Sequence, residues 1–483
     1  MTDPKTVVED GSLNTPEPFL IWKRLTKLAI PLALAQLGQN LMGLVDTAFL
    51  GRVSPEALGA AGIGNGLFFA IVVLPMGIIL GSETLISQFV GAKKDKDAGQ
   101  TLRQGLWLSL LLFVPTLFVM FGCLKSVPWW GIDEPLVLPT QDYGWARLPG
   151  AYAFFCYIAL RCYIQGYGRT LYVTLAVVIA NVINVPLNGL LIFGDEGLMA
   201  IGLPAVGLPA YGVWGAGLSS SICTFIQIIV VIPETMRLYQ SHVKTSLLRD
   251  LLRFGRLDCV NEKMKRIVRI GFPVGLQFTV EVGVFSLVGI LMGKLGSVTA
   301  AAHQIAITVA STSFHAVLGI SMATSVLVGQ SIGANDSREA FKTGIVGIIV
   351  GVLFMSFSAS AYYFFPEMIA SLFSSEPDVI GQTIILLQIA AVFQLFDGGQ
   401  AIAGGALRGA GDTTWAFGVN IIAHWVIGLP FAITMCFYLG FGAGGMWWGL
   451  TIGLMIAAAG LIGRFIYKGR RGYASLVSVM DAD

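Results

Sequence analysis

The chain is 483 residues long, 55% hydrophobic and only 12% charged, with a formal net charge of +2 and a mean hydropathy of +0.76. Globular domains carry about 25% charged residues, so this supply is too small to coat a soluble fold of this size. The apolar runs also far exceed the roughly 9–11 residues of a membrane strand, which leaves an all-α polytopic membrane protein.

In chain order, residues 1–20 are polar and Pro-containing and read as a disordered tail without a cleavable signal. Runs long enough to cross a bilayer follow near 25–50, 59–90, 103–125, 144–167, 171–194 and 212–236. They recur near 267–294, 298–332, 342–365, 377–407, 414–439 and 442–467. Several exceed the roughly 20 residues required, so tilt or extension beyond the membrane is expected.

Twelve spans put both termini on one side, and the thirty Lys and Arg residues divide accordingly. Twenty-five fall on the side of the termini, four (Arg52, Lys125, Arg147, Lys294) on the opposite side, and Arg161 within the fourth span. Positive charge stays cytoplasmic, so the expectation is a multi-pass protein of the cell (inner or plasma) membrane with both termini in the cytoplasm. The stretch 237–266 is the longest polar connection and separates two halves. Within it SLLRDLLRFGR (246–256) spaces Leu pairs and Arg as a basic amphipathic helix lying on the membrane face. The expected organisation is a tail (1–20), an N-lobe (21–236), a linker (237–266), a C-lobe (267–468) and a second cytoplasmic tail (469–483). Six scattered cysteines (Cys123, Cys156, Cys162, Cys223, Cys259, Cys436), without CxxC spacing, read as small buried hydrophobes.

The halves repeat. A shift of 242 residues lays Arg24 on Arg266, Pro31 on Pro273, Gly51 on Gly293 and Gly77 on Gly319. The same register lays Gln88-x-x-Gly91-Ala92 on Gln330-x-x-Gly333-Ala334, and a shift of 243 lays GYGRT (166–170) on GAGDT (409–413). Coincidence of Pro, Gly and Gln at one register goes beyond chance matching of apolar residues. Six spans per half is an even number, so both halves start on the same side. They are then related by a pseudo-two-fold axis along the membrane normal, the parallel-repeat plan of many secondary transporters.

Four acids sit inside the spans: Asp46, Glu83, Glu281 and Asp397. A carboxylate at the centre of a bilayer costs at least about 2.5–3.5 kcal/mol on insertion scales, so each needs a reason. Gln36, Gln39 and Asp46 share one helical face, as do Gln277 and Glu281, and these stripes are expected to face a water-filled cavity. The plainer reading is a buried hydrogen-bond network that locks helices together, and it suits Glu83 best because that residue lies nearer the cytoplasmic end. His303, His315 and His424 read chiefly as satisfied core groups, with His303 kept as a candidate. A buried carboxylate for which a proton (or sodium ion) and a cationic substrate compete would supply the coupling of an antiporter. No GxxxxGK[ST], HExxH, paired-Cys or nucleophile-elbow motif occurs, so no enzyme activity, cofactor, protein-bound metal or nucleic-acid partner is expected. The Gly-rich LRGAGDT (407–413) lacks the strand context of a phosphate loop and reads as a tight cytoplasmic turn.

At these residues the chain resembles the multidrug and toxic compound extrusion (MATE) family, in its NorM-like branch. The resemblance covers roughly residues 20–465 and rests on several stretches: LVDTAFLGR (44–52), QGYGRT (165–170), NVPLN (184–188) and GFPVGLQFTVEVG (271–283). AAHQIAI (301–307), LGISMATSVLVGQSIGA (318–334) and FQLFDGGQAIAGGALRGAGDT (393–413) are the most specific. It implies a V-shaped, two-lobed transporter of twelve helices that exchanges organic cations for external sodium ions or protons. Under it Asp46 matches the N-lobe cation-site acid, Asn184 and Asn188 match its polar partners, and Glu281 and Asp397 match the C-lobe cation site. Phe393 stands where the branch usually has a tyrosine, which puts a sodium site using that position in doubt and tilts the expectation toward protons. SETLISQ (82–88), with Glu83, resembles eukaryotic-type members and leaves the role of Glu83 open.

Expected partners are small organic, chiefly cationic amphiphilic molecules and the lipid bilayer, with the protein a monomer. Rival readings are an organic-anion exporter, a lipid-linked-precursor flippase and a non-transporting receptor or scaffold. A flippase would want a cluster of Arg or Lys in the cavity, where this chain places acids and Arg161. A receptor or scaffold would need no repeated, carboxylate-bearing cavity.

Overall fold

The computed structural model describes residues 18–200, 202, 204–252, 262–474 and 476–477. Among these residues there is no strand. In the first half the long helices are α1 (Pro18–Leu50), α2 (Pro55–Gly91), α3 (Asp95–Ser126), α4 (Glu134–Gly166), α5 (Thr170–Phe193) and α6 (Gly212–Val243). In the second half they are α7 (Glu262–Gly293), α8 (Ser297–Gly333), α9 (Ser337–Phe364), α10 (Pro377–Gly409), α11 (Thr413–Tyr438) and α12 (Gly442–Arg471). At 1.5 Å per residue most are about 45–55 Å long, well over the roughly 30 Å of hydrocarbon, so they overrun the apolar runs on which the spans were drawn. Helix α1 accordingly starts at Pro18 and α7 at Glu262, earlier than the runs near 25 and 267.

Eleven of the twelve are apolar enough along their length to cross a membrane; α4 is the exception. It carries Asp142, Arg147 and Arg161, and it packs between α2, α3 and α6 inside its lobe, with every residue from 157 to 166 buried. Neighbouring helices rather than lipid solvate it, so polar residues are tolerated there. The outer faces of the other helices carry exposed Ile30, Leu34, Phe118, Ile229, Phe357 and Tyr363, as a lipid-facing surface requires.

The helix ends repeat as the sequence does. Lys93 after α2 and Asn335 after α8 both adopt the left-handed conformation (φ 58° and 64°), as do Gly168 after α4 and Gly411 after α10 (φ 73° and 76°). At the latter pair the amides of Arg169 and Asp412 close back on the carbonyls of Ile164 and Leu407, at 3.0 and 2.9 Å. These are glycine-dependent helix C-caps, and the LRGAGDT segment is the tight turn its composition indicated.

The lobes meet through α1 on α8, α2 on α7, and a crossing of α2 with α8. Gly77 packs against the backbone of Gly275, and its repeat mate Gly319 packs against Ala33, which is itself the mate of Gly275. Gly91 lies on Gln330, and Gly333 on Gln88. None of these four glycines leaves room for a side-chain carbon, so close backbone approach explains why they recur at one register. Gln88 Nε2 donates to the carbonyl of Gly409 at 3.0 Å, and Gln330 Nε2 to that of Gly166 at 2.7 Å. Ion pairs also cross between the lobes, among them Arg24–Glu339 at 3.1 Å and Lys263–Asp97 at 2.5 Å. All these contacts lie in the half of the bundle that carries the termini. Toward the opposite end Gly43, Gly62 and Gly66 are exposed and face open space.

Past α12, Tyr473 packs its ring on Phe465 and the amide of Leu476 donates to Gln88 Oε1 at 3.0 Å. This segment therefore touches both lobes. Of the amphipathic helix read in the linker, Leu247–Leu252 is helical, with Leu247 buried and Asp250 accepting from Tyr239 at 2.8 Å. Residues 253–256 of that helix, Cys259, most of the first tail (1–17) and residues 478–483 of the second lie outside the described residues.

Candidate functional site

In the N-lobe, Asp46 is 5% exposed on α1 and faces α5 and α6. Its Oδ1 accepts from Asn184 Nδ2 at 3.0 Å and Asn188 Nδ2 at 2.6 Å, and its Oδ2 accepts from Ser220 Oγ at 2.5 Å. Asn184 and Asn188 are one turn apart on α5, so their amides arrive at the carboxylate together. Both Asp46 oxygens are thus engaged by protein donors. Arg147 lies within electrostatic reach of Tyr143 and Cys223, which also feel Asp46. The stripe expected from Gln36, Gln39 and Asp46 does face one way: Gln36 accepts from Arg161 at 3.4 Å and Gln39 donates to Gln227 at 3.3 Å. It meets α4, α5 and α6 of its own lobe.

The C-lobe acids stand in a different environment. Asp397 on α10 is buried, and half-buried Glu281 on α7 lies within electrostatic reach of it. Among the described residues neither carboxylate has a hydrogen-bond or ion-pair partner. One turn away, Phe393 (from Asp397) and Phe285 (from Glu281) meet at 6.2 Å between ring centroids. Phe393 also packs on Trp447 at 5.6 Å, and Trp447 Nε1 donates to His303 Nδ1 at 3.2 Å. Helix α7 runs away from the terminal end and α10 runs toward it, so this aromatic cluster caps the acids on the far side. Gln277, one turn from Glu281 on the other side, approaches Gly404 of α10.

Two adjacent acids with no protein donor or base in contact must be neutralised from outside the protein, by a proton, a metal cation or a cationic ligand. Glu281 and Asp397 are therefore the residues able to hold such an ion, whereas the ring of Phe393 offers no ligand atom. Among the described residues no group of three or more His, Cys, Asp and Glu gathers as a metal site.

The remaining candidates divide. His303 is a positioning group for Trp447, and His315 is satisfied by the carbonyl of Ser311 at 2.7 Å. His424 lies in a π-helical stretch of α11 (Ile421–Gly428), with Nε2 unpartnered. Glu83 joins neither acid site; it faces Arg408 of the other lobe at 3.9 Å. Reading the sequence missed Ser220, Arg147 and Arg408. For Ser220 a signal existed, since Ser219-Ser220-Ser221 is a polar run inside a span. The charge count assigns Arg147 to the far side and Arg408 to the side of the termini, and gives neither a partner.

Comparison with known proteins agrees with this geometry. The MatE family model matches residues 31–190 and 273–434, two segments that begin 242 residues apart at Pro31 and Pro273. A protein described as probable multidrug resistance protein NorM from Mesorhizobium japonicum is 30% identical over 481 residues, covering 95% of this chain and 97% of that one. Multidrug resistance protein NorM of Aliivibrio fischeri is 30% identical over 451 residues, covering 92% and 95%. The crystal structure of a eukaryotic MATE transporter superposes with a TM-score of 0.80 at 18% identity, covering 94% of this chain and 99% of that one. With the family model matching most of the chain and relatives aligning nearly end to end, the chain belongs to the MatE family, the multidrug and toxic compound extrusion transporters.

Proposed function

We propose that this protein is a secondary active antiporter that exports organic, chiefly cationic amphiphilic compounds in exchange for protons or sodium ions. The observation that carries the reading is the pair Glu281–Asp397, two acids on facing helices, each one turn from the Phe285–Phe393 contact, without a protein counter-charge among the described residues. Such a pair binds a proton, a sodium ion or a cationic substrate in competition, and competition for one site is what couples two opposed fluxes.

The charge census supports a cytoplasmic location for both termini, and hence for the end at which the lobes are in contact. On that assignment the structure is in its outward-open state, and transport proceeds by rocking the lobes apart at the cytoplasmic end. Substrate binds near the deprotonated acids from inside, and after the lobes rock back an external ion displaces it. The names of the relatives support multidrug efflux as the task. Phe393 in place of a hydroxyl-bearing ring favours protons as the coupling ion, because a sodium ion would lose an oxygen ligand there.

The test is efflux of ethidium from proteoliposomes under an imposed pH gradient and, separately, an imposed sodium gradient. Wild-type protein should respond to the pH gradient, and Glu281→Gln or Asp397→Asn should abolish coupled efflux. Normal ion-driven efflux by both amide variants would overturn the assignment of the pair.

A further inference from the structure

Around the pseudo-two-fold axis, where α2 and α8 cross near the terminal end, lie four polar side chains from four helices, three buried and the fourth, Arg408, about one-tenth exposed. Glu83 (α2) and Arg408 (α10) face each other across the lobe interface at 3.9 Å between Oε1 and Nε. Among the described residues, neither Glu83 oxygen nor the Arg408 Nε makes a hydrogen bond. The repeat maps Glu83 onto Ser325 (α8) and Arg408 onto Gln165 (α4), by shifts of 242 and 243. Ser325 Oγ and both amide atoms of Gln165 are likewise buried and unpartnered. The repeat thus matches an ionic pair on one side with two neutral side chains on the other.

We propose that Glu83 and Arg408 form a one-sided electrostatic lock on the contact between the lobes. Deepening the antiporter reading, the proposal rests on the lobes parting at this end. The backbone around the pair is fixed by Thr84 Oγ1 donating to the Arg408 carbonyl at 2.9 Å and by Gln88 donating to Gly409. With the lobes together, each of the two is the other's ion-pair partner among the described residues, and removing either leaves a largely buried charge without that partner. When the lobes part, water reaches every unpartnered atom, so the ions regain the hydration that closure took away. The lock therefore holds the closed end without making its release prohibitive. The two neutral side chains add no counter-charge, which is why the closed state depends on one side of the axis. Arg161 stands nearby, close enough that Cys162 feels it together with Glu83 and Arg408, but it is engaged by Gln36 in its own lobe.

The measurement is the distance between spin labels placed at Lys96→Cys and Arg338→Cys, exposed positions on α3 and α9 that the repeat makes equivalent. The labels go on the full chain with its native cysteines replaced, reconstituted in lipid nanodiscs. The parent should populate mainly the short distance, and Glu83→Gln should shift the long-to-short ratio about tenfold or more toward the long one. Arg408→Gln should shift it in the same direction. The double variant Glu83→Ser, Arg408→Gln reproduces the neutral chemistry already present across the axis and should return the ratio to within about twofold of the parent. It also controls for misfolding, because it removes both charges from the same place. A ratio unchanged by Glu83→Gln, or a double variant as displaced as the singles, overturns the lock. If ethidium lengthens the distance in the parent while the variants change nothing, the lock alone fails; if no condition moves the labels, the parting of the lobes fails with it.

Discussion

The side-chain amide of Gln88 bridges two elements, donating to the carbonyl of Gly409 and accepting from the amide of Leu476, each at 3.0 Å. Among the described residues its repeat mate Gln330 makes only the first kind of contact, to Gly166. Gln88→Ala strands two backbone groups and Gln330→Ala one, at about 1–3 kcal/mol for each that stays buried. Hydrogen exchange over residues 405–412 and 164–169 should therefore rise more for Gln88→Ala than for Gln330→Ala. The opposite order would show that Leu476 does not share in the closure.

At the far end of the N-lobe, Asp195 accepts from the amides of Val206, Gly207 and Leu208 at 3.0, 2.9 and 3.1 Å. These bonds, led by Val206 and Leu208, hold its carboxyl below the usual carboxylate range. A lowered folded value means the contribution is fully present above the ordinary carboxylate value near 4 and is lost as pH falls through the lowered one. Exchange protection of residues 206–208, corrected for intrinsic rate, should be flat from pH 8 to 5 and fall only below about pH 4. Asp195→Ala should remove that protection at every pH.

Much of this architecture was legible because a membrane imposes few solutions. The spans, the repeat and the four intramembrane acids follow from hydropathy, from Pro, Gly and Gln at one register, and from the cost of burying charge. What was not legible depends on which helix meets which across the axis. Glu83 and Arg408 lie on α2 and α10, and nothing local to either segment announces the other. Helix α4 was drawn as an ordinary span although its polarity belongs to a helix shielded from lipid. Asp46, Glu281 and Asp397 look alike in sequence, but Asn184, Asn188 and Ser220 surround only the first. A carboxylate's environment is set by side chains from other helices, and the environment separates a donor-bound acid from one that must find its cation elsewhere.

The aromatic cap over the C-lobe acids depends on one hydrogen bond. Trp447 is fully buried and its indole N–H finds its acceptor in His303 Nδ1. An imidazole that accepts there carries its proton on Nε2 and is uncharged. His303→Leu strands the indole at about 1–3 kcal/mol and should lower the thermal stability of the purified protein. His303→Asn, which keeps an acceptor, should recover part of that loss. Equal destabilisation by both would mean the site responds to volume and not to the hydrogen bond.

The two acid environments predict opposite outcomes for the same chemical change. Asp46→Asn replaces one acceptor oxygen by an N–H₂ group and turns it toward donors already present: Asn184 and Asn188 on one side, Ser220 on the other. Even with its oxygen toward Asn184 and Asn188, the new amide must donate to Ser220 Oγ, whose own O–H then loses its carboxylate acceptor in a buried site, so about 1–3 kcal/mol of folding stability should be lost. Efflux should fall as a consequence of the damaged lobe. Glu281→Gln meets no protein donor or acceptor among the described residues, so the folded state loses no such bond and gains relief from placing two acids together. Its thermal midpoint should equal or exceed that of the parent while gradient-driven ethidium efflux drops at least tenfold. Unfolding and transport measured on the same two preparations decide the matter. A stable Asp46→Asn with a destabilised Glu281→Gln would show that Asp46 is not held by its three donors and that the C-lobe pair is a structural contact.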